Sequence, residues 1–323
     1  MKKIVKIITL IMLIIMGLLL CIILITYINH KIQLKKEERL FKPMGQLIDV
    51  NAHKMHVYSQ GQGEETLVFM SGGGTCSPVL DFKSLYDLLS DAYRIVIVEK
   101  AGYGFSEIAD VSRDIDTILE ETREALLKAG EMGPYILFPH SMSGIEALYW
   151  AQKYPDEVKA TIGLDLAVPS AYENVEFNRP MLNLGAMAAK VGILRWVPDI
   201  VNDSAAIKTG MLTEEGNELY RVIFHRRTAT SNMLAEVNEI KRSAKKVQDL
   251  GIPKVPMLFF ISNGEGTGWN EREWQAFLVD YINRSNKGQY IQLDCSHYVQ
   301  DIEYDTIAKE SQYFISNITG IKH

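Results

Sequence analysis

Short apolar runs alternate with helix-like stretches along most of this chain, and that alternation restricts its fold more than any other feature. The runs are rich in β-branched residues: Lys54–Ser59, Thr66–Met70, Tyr93–Val98, Tyr135–Phe138, Ala160–Leu166, Met257–Ile261 and Tyr290–Leu293. Continuous apolar runs are typical of strands that are buried on both faces of a parallel sheet. The first two runs lie close together and predict an antiparallel hairpin at the start.

The stretches between these runs have the spacing of amphipathic helices. They are Asp81–Ser90, Ile115–Ala129, Met142–Lys153, Glu271–Ile282 and Asp301–Ile318. This order predicts an α/β fold, with a mostly parallel central sheet and helices on both faces. In such sheets the functional groups gather at the carboxyl ends of the strands.

The region of about 168–251 interrupts the alternation. It is helix-rich and carries several methionines, among them Met181, Met187, Met211 and Met233. An insertion of this length between two strands is usually functional, so we expect a helical lid over a site. The alternative is a plain additional layer of helices.

The N-terminal part of the chain contains a long uncharged segment. Ile7 to Ile28 is 22 residues without a charge, enough for a helix of roughly 33 Å across a hydrocarbon core of about 30 Å. A cleaved signal peptide has a shorter apolar region and a small-residue cleavage site, which Thr26-Tyr27-Ile28 does not fit. We therefore predict a single-pass membrane anchor over residues 1–30, a juxtamembrane linker over 31–45 and one α/β domain over 46–323.

The charge of the chain divides unevenly. Residues 1–42 carry eight basic and two acidic side chains, so the net charge of -6 leaves -12 on the rest. An acidic body argues against nucleic acid as a partner, because phosphate binding needs clustered positive charge. Lysines flank the apolar segment on both sides, so the positive-inside rule does not fix its orientation. The very short N-terminal tail favours a body on the extracytoplasmic side.

Cys21, Cys76 and Cys295 are the three cysteines of the chain. They are too few for a disulfide framework and have no metal-ligand spacing. Two free thiols in the body are favoured over a Cys76–Cys295 bridge. No metal or organic cofactor is predicted.

A serine stands where the strand Tyr135–Phe138 turns into a helix. The turn reads Pro139-His140-Ser141-Met142-Ser143-Gly144. A serine on a sharp strand-to-helix turn presents its hydroxyl at the top of the sheet, usually within a G-x-S-x-G pattern. Here Pro139 and Ser143 occupy the glycine positions and Gly144 follows. The alternative is that Ser141 only caps the helix.

Four segments together resemble the α/β-hydrolase superfamily, over about residues 47–318. They are the turn and helix His140–Val158, the glycine loop FMSGGGT (Phe69–Thr75), the loop VEKAGYGFS (Val98–Ser106) and the segment DCSHYVQDIEYDTIA (Asp294–Ala308). The resemblance implies an α/β-hydrolase fold with a helical lid. It also implies Ser141 as the nucleophile and His297, rather than His140, as its base. The backbone N–H groups of Gly73 and Met142 would form the oxyanion hole.

The acid of this expected triad is not settled by the sequence. The position that holds an acid in many family members is Thr267 here. Asp165, at the end of the strand after the nucleophile helix, is favoured, and Glu265 is the alternative. An aspartate at that strand end also occurs as a structural residue.

The sequence as a whole predicts a membrane-anchored serine hydrolase. It would cleave a carboxylic ester or related acyl bond of a small molecule, and the methionine-rich insertion suggests an apolar group on that substrate. The alternatives are a non-catalytic interaction protein of the same fold, and a peptidase, acyltransferase or peroxidase using the same residues. A dinucleotide-binding fingerprint at Gly102 is disfavoured, because its third glycine position is Glu107.

Overall fold

A computed structural model describes residues 2–209 and 211–320, and its centre is a twisted sheet. Within these residues the sheet has eight strands in the order β1-β2-β4-β3-β5-β6-β7-β8. The strands are β1 (Gln46–Val50), β2 (His53–Gln60), β3 (Thr66–Met70), β4 (Arg94–Glu99), β5 (Tyr135–Pro139), β6 (Val158–Leu164), β7 (Met257–Ile261) and β8 (Gly288–Gln292). From β4 to β8 every neighbouring pair is parallel. The predicted mostly parallel α/β fold is confirmed.

The predicted hairpin between the first two apolar runs is wrong. β2 pairs antiparallel with β1 on one side and with β4 on the other, while β3 lies beyond β4 and is parallel to it. β1 lacks a continuous apolar run, because it lies at the edge of the sheet and four of its five side chains are exposed or only partly buried. The antiparallel start therefore exists, but β1 and β2 form it.

Alternate side chains of the strands enter two separate cores, one on each face of the sheet. In β3, Val68 and Met70 belong to one core and Leu67 and Phe69 to the other. Helices cover both cores: α2 (Pro78–Asp81), α3 (Lys83–Leu89), α4 (Ile115–Ala129), α5 (Ser143–Lys153), α11 (Glu271–Ile282), α12 (Val299–Ile302) and α13 (Tyr304–Thr319). Burial of both faces explains why these strands are continuously apolar.

The ends of α4 and α11 fall where they were predicted, because local capping residues set them. The Asp114 side chain accepts hydrogen bonds from the N–H groups of Asp116 and Thr117 at 3.0 and 3.1 Å. Gly130 then ends α4 in the left-handed conformation, with φ 82°. Asn270 caps α11 through the N–H of Glu273 at 3.0 Å.

The insertion between β6 and β7 is mostly helical in its described residues. It contains α6 (Arg179–Lys190), α7 (Asp199–Asn202), α8 (Ala205–Lys208), α9 (Glu214–Arg227) and α10 (Ser231–Leu250), with a 3₁₀ turn at Ile193–Trp196. It lies at the carboxyl ends of the strands, over the residues described below.

The N-terminal segment forms one long helix, α1 (Lys2–Lys36). Its most apolar window of 18 residues has a mean hydropathy of 3.3, and no part of that window is buried against the rest of the protein. The helix is long and apolar enough to cross a membrane. It also continues to Lys36, so the first part of the segment 31–45 is helical.

Candidate active site

Ser141 lies on the turn between β5 and α5 in a strained backbone conformation. Its φ is 55°, in the left-handed region that non-glycine residues rarely adopt. The Ser141 carbonyl accepts hydrogen bonds from the N–H groups of Gly144 at 2.9 Å and Ala167 at 2.8 Å. These contacts hold the turn against the end of β6, and such strain is typical of functional sites.

The unusual residues around Ser141 have a direct steric explanation. A Cβ at Gly144 would lie 2.3 Å from the Ala167 carbonyl oxygen, so the close approach that demands glycine falls at 144. Ser143 fits because its Oγ donates to the Met70 carbonyl at 2.6 Å, at the end of β3. The departure from G-x-S-x-G therefore leaves the geometry of the turn intact.

Ser141, His297 and Asp165 form a continuous chain of hydrogen bonds. His297 Nε2 lies 2.7 Å from Ser141 Oγ, and His297 Nδ1 lies 2.6 Å from Asp165 Oδ2. His297 comes from the loop between β8 and α12, and its backbone N–H donates to the Glu265 carbonyl at 2.9 Å. Three loops at the carboxyl ends of β5, β6 and β8 thus bring together residues far apart in sequence.

The Asp165 carboxylate is fully buried and held by three further hydrogen bonds. Its Oδ1 accepts from the Ser262 N–H and from Trp274 Nε1, both at 2.8 Å, and its Oδ2 accepts from Ser262 Oγ at 2.7 Å. These donors stabilise a charge that burial alone would penalise. The sequence did not single out Ser262 or Trp274, because their role depends on β6 and β7 being neighbours in the sheet.

The side chain of Glu265, the alternative acid, makes no hydrogen bond to His297. The residue is exposed, and only its backbone contacts the site, through its carbonyl to the His297 N–H. Thr267 Oγ1 donates to the Gly264 carbonyl at 2.7 Å and so closes the same loop. This loop supports His297 from the backbone.

His140 is buried beside His297 and supports its loop. Its Nε2 lies 3.1 Å from the His297 carbonyl oxygen and therefore donates to it, and the two rings are 4.7 Å apart. Burial, and the neighbouring His297, hold the pKa of His140 well below its usual range. His140 is therefore a neutral imidazole that fixes the His297 backbone.

The glycine loop after β3 lies directly against the turn of Ser141. A Cβ at Gly72 would lie 2.7 Å from the Ser141 Cβ, and one at Gly73 would lie 2.7 Å from the Met142 Cε. Across residues 2–209 and 211–320, neither the Gly73 nor the Met142 N–H donates to a protein acceptor. The two amides are thus free to bind a ligand beside Ser141.

A cavity of about 480 Å³ opens above Ser141 and His297. Its walls include the insertion's apolar side chains Phe177, Leu182, Met233, Leu234 and Val237. This volume matches that of pockets that enclose small organic molecules. The insertion therefore covers the site, as expected of a lid.

The described part of the chain contains three cysteines, and none of them forms a disulfide. Cys21, Cys76 and Cys295 are free thiols, and the latter two are buried. No group of three or more His, Cys, Asp or Glu side chains there is arranged to hold a metal ion.

This sheet, with a serine–histidine–aspartate chain at its carboxyl edge, defines a hydrolase-type α/β protein. The model of the α/β-hydrolase fold family matches residues 65–214. A Bacillus subtilis (strain 168) protein without an assigned function, YbdG, is 34% identical over 98% of this chain and 100% of its own length. The chain belongs to the α/β-hydrolase family.

One further sequence match and two solved structures of similar fold are named as enzymes. The 2-(acetamidomethylene)succinate hydrolase of Mesorhizobium japonicum is 24% identical over 43% of this chain and 49% of its own length. The enol-lactonase of Burkholderia xenovorans LB400 superposes with a TM-score of 0.62 at 15% identity, over 84% of this chain and 100% of that one. A putative epoxide hydrolase mutant from Pseudomonas aeruginosa gives 0.66 at 15% identity, over 84% and 96%. The last two similarities concern the fold alone.

Proposed function

We propose that this protein is a serine hydrolase that cleaves a carboxylic ester or related acyl bond through an acyl-Ser141 intermediate. The observation that carries this proposal is the hydrogen-bonded chain Ser141–His297–Asp165 at the floor of the cavity. A serine hydroxyl is a weak nucleophile unless an adjacent base removes its proton. His297 Nε2 lies at the right distance to do so.

Acylation starts when Ser141 Oγ attacks the substrate carbonyl carbon and His297 Nε2 accepts the proton. Asp165 holds the ring so that Nδ1 carries its hydrogen toward Oδ2, and it stabilises the imidazolium that forms. His297 then gives the proton to the departing alcohol oxygen. In the second half, water attacks the carbonyl carbon of the acyl-serine while His297 Nε2 accepts a proton from it. His297 then gives that proton to Ser141 Oγ as the bond between the acyl carbon and Oγ breaks, which releases the acid and restores Ser141.

The amides of Gly73 and Met142 are the proposed oxyanion hole. They flank Ser141 from the glycine loop and from the start of α5, and both lack an acceptor within the described part of the protein. Fixed N–H donors stabilise the oxyanion without reorganising, and losing one typically costs about 10²–10³ in rate.

The substrate that this cavity favours has an apolar part. The wall formed by the insertion is aliphatic and aromatic, and Trp269 completes it on the side of the β7 loop. Such a wall binds an apolar acyl or alcohol group by excluding water from it.

The long apolar helix α1 supports the further proposal that the protein is a single-pass membrane protein. Its N-terminal tail is very short, and this favours the cytoplasmic side for the tail and would place the catalytic domain outside. Protease accessibility of the domain on intact cells, compared with lysed cells, tests this orientation.

A fluorophosphonate probe tests the catalytic proposal on the full-length protein in detergent. The parent should be labelled and should hydrolyse a short-chain ester, and Ser141→Ala should do neither. Ser112→Ala, which changes an exposed hydroxyl before α4, is the matched control and should behave as the parent. A folded parent that takes no label would instead favour a non-catalytic interaction protein.

A further inference from the structure

The segment 179–202, which comprises α6, the 3₁₀ turn and α7, exposes an unusual amount of apolar surface. No residue of α6 is buried. Met181 is 70% exposed, Leu184 60% and Trp196 61%, and Met187, Val197 and Ile200 are exposed beside them. Contiguous apolar surface of this kind marks a contact with a membrane or a partner.

The charge of this segment differs from that of the body around it. Between residues 179 and 202 the charged side chains are Arg179, Lys190, Arg195 and Asp199, so three are basic and one is acidic. The domain as a whole is acidic. Basic residues next to exposed leucine, methionine and tryptophan are typical of helices that lie in the interface of an anionic membrane.

The segment is attached to α1 just beyond the apolar stretch. Arg195 Nε lies 2.9 Å from His30 Nδ1, and the Arg195 guanidinium pairs with both carboxylate oxygens of Glu37 at 2.7 and 2.8 Å. Gly192 packs so closely on His30 that a Cβ there would lie 2.4 Å from the His30 Cβ. The uncharged stretch ends at Ile28, about 3 Å along the helix axis from His30.

These contacts fix the height of the segment relative to a membrane that α1 crosses. If the apolar stretch of α1 fills the hydrocarbon layer, His30 lies at its surface, and so do the residues that touch His30. The exposed apolar side chains of 179–202 then meet the headgroup region. Tryptophan at position 196 suits this region, because its ring is apolar and its N–H is polar.

We propose that the segment 179–202 lies in the lipid–water interface and that the active site takes its substrate from the membrane. This inference rests on the proposed anchor and the proposed hydrolase activity. The substrate class is an ester with a long hydrocarbon chain that resides in the bilayer. Continuity with α1 favours the bilayer over a protein partner as the occupant of this surface.

The structure offers a route from this surface to Ser141. Leu182 of α6 and Leu234 of α10 line the active-site cavity, and they also line a neighbouring groove of about 150 Å³ that reaches Arg179. A hydrocarbon chain that enters beside α6 would contact Leu182 and Leu234, whereas the other residues lining the groove, Arg179, Asn183 and Asn238, are polar. Arg179, at the start of α6, lies where an anionic headgroup would remain.

The first experiment measures whether Trp196 reaches the lipid. The full-length protein is reconstituted into phosphatidylcholine–phosphatidylglycerol vesicles that contain lipids with brominated acyl chains, which quench nearby tryptophan fluorescence. We expect quenching of the parent and its loss in Trp196→Phe, which leaves Trp150, Trp269 and Trp274 in place. Equal quenching in both proteins would overturn the proposal.

The second experiment compares two substrates in the same vesicles. Met181→Ser combined with Leu184→Ser should slow hydrolysis of a long-chain ester dissolved in the bilayer by about tenfold, since each removes apolar contact with lipid. Hydrolysis of a short-chain, water-soluble ester should stay within about twofold of the parent. The control is Leu127→Ser combined with Met132→Ser, 62% and 65% exposed near the amino ends of the strands. It should change neither rate.

The outcomes separate the two proposals. A parent protein that shows neither fluorophosphonate labelling nor ester hydrolysis would overturn the proposed activity. The quenching of Trp196 fluorescence would still report on the membrane contact. If the parent is labelled, the Met181/Leu184 variant decides the interfacial role of the segment 179–202. An equal loss of both ester activities in that variant, or no loss of either, would overturn this role. A dimer in detergent that the Met181/Leu184 variant dissociates would assign the surface to a second copy of the chain.

Discussion

The Nδ1 atom of His297 lies 2.6 Å from Oδ2 of Asp165, which comes from the strand next to the one that carries Ser141. Asp165 follows β6 directly and has φ 47°, a left-handed conformation that aspartate tolerates better than most residues. This turn directs the carboxylate across the top of the sheet toward the β8 loop. Ser262 and Trp274 then fix it from the side of β7.

Substitutions at Asp165 and Glu265 should show which of the two carboxylates acts with His297. Asp165→Asn removes the charge that orients His297 and stabilises its imidazolium, so kcat should fall by about 10³–10⁴. Glu265→Gln changes an exposed side chain and keeps the backbone contact to His297, so kcat should stay within about twofold. Steady-state kinetics with a short-chain ester checks both. Full activity of Asp165→Asn would contradict the proposed role of Asp165.

The Ser262 hydroxyl should affect kcat indirectly, because it positions the Asp165 carboxylate. Ser262→Ala removes the donor 2.7 Å from Asp165 Oδ2 and leaves the Gly264 N–H without its acceptor at 3.0 Å. One lost hydrogen bond to a charge corresponds to about 1.5–3 kcal/mol, so kcat should fall by about tenfold or more. KM should change little, because Ser262 does not line the cavity. Ser112→Ala serves as the control. A rise in KM with an unchanged kcat would contradict this role.

Local patterns were enough to predict α4, α11 and the turn that carries Ser141. Asp114 and Gly130 set the ends of α4 without help from the rest of the chain. The strand-to-helix turn is likewise a local arrangement, with Gly144 at its closest approach to β6. Such features depend on a few consecutive residues, so a single sequence contains them.

Features that depend on which strands are neighbours were beyond the sequence. The insertion of β4 between β2 and β3 made the predicted hairpin wrong. The choice between Asp165 and Glu265 was open for the same reason, because it depends on where the ends of β6, β7 and β8 lie relative to one another. The docking of Arg195 on Glu37 joins two regions that no local pattern relates.

Gly72 and Gly74, two glycines of the same loop, should respond differently to replacement by alanine. At Gly72 a Cβ would lie 2.7 Å from the Ser141 Cβ, and neither position has a flexible side chain that could yield. Gly72→Ala should therefore displace the turn and abolish fluorophosphonate labelling. At Gly74, with φ 78°, a Cβ meets nothing within 4 Å, so Gly74→Ala should cost only the backbone strain of about 1–3 kcal/mol. Labelling of both variants beside the parent, with thermal unfolding, checks the contrast.

Burial of Asp81 should make the stability of the domain depend on pH. Burial raises the pKa of Asp81 to about 7, although Tyr220 donates a hydrogen bond to it at 3.0 Å. The unfolded chain loses this proton near pH 4 and the folded chain only near pH 7. The folded state therefore binds more protons in this interval, and its stability falls as the pH rises from about 4 to 7.

Asp81→Asn removes that ionisation and keeps an oxygen to accept from Tyr220. The variant should gain up to a few kcal/mol over the parent at pH 8 and less at pH 5, because the raised carboxyl pKa penalises only the ionised form. Thermal unfolding of the full-length protein in detergent at both pH values measures the difference. Asp87→Asn, on the exposed face of α3, should change stability by less than about 0.5 kcal/mol at either pH. An equal shift of Asp81→Asn at both pH values would mean that Asp81 is ionised throughout, held by partners other than Tyr220.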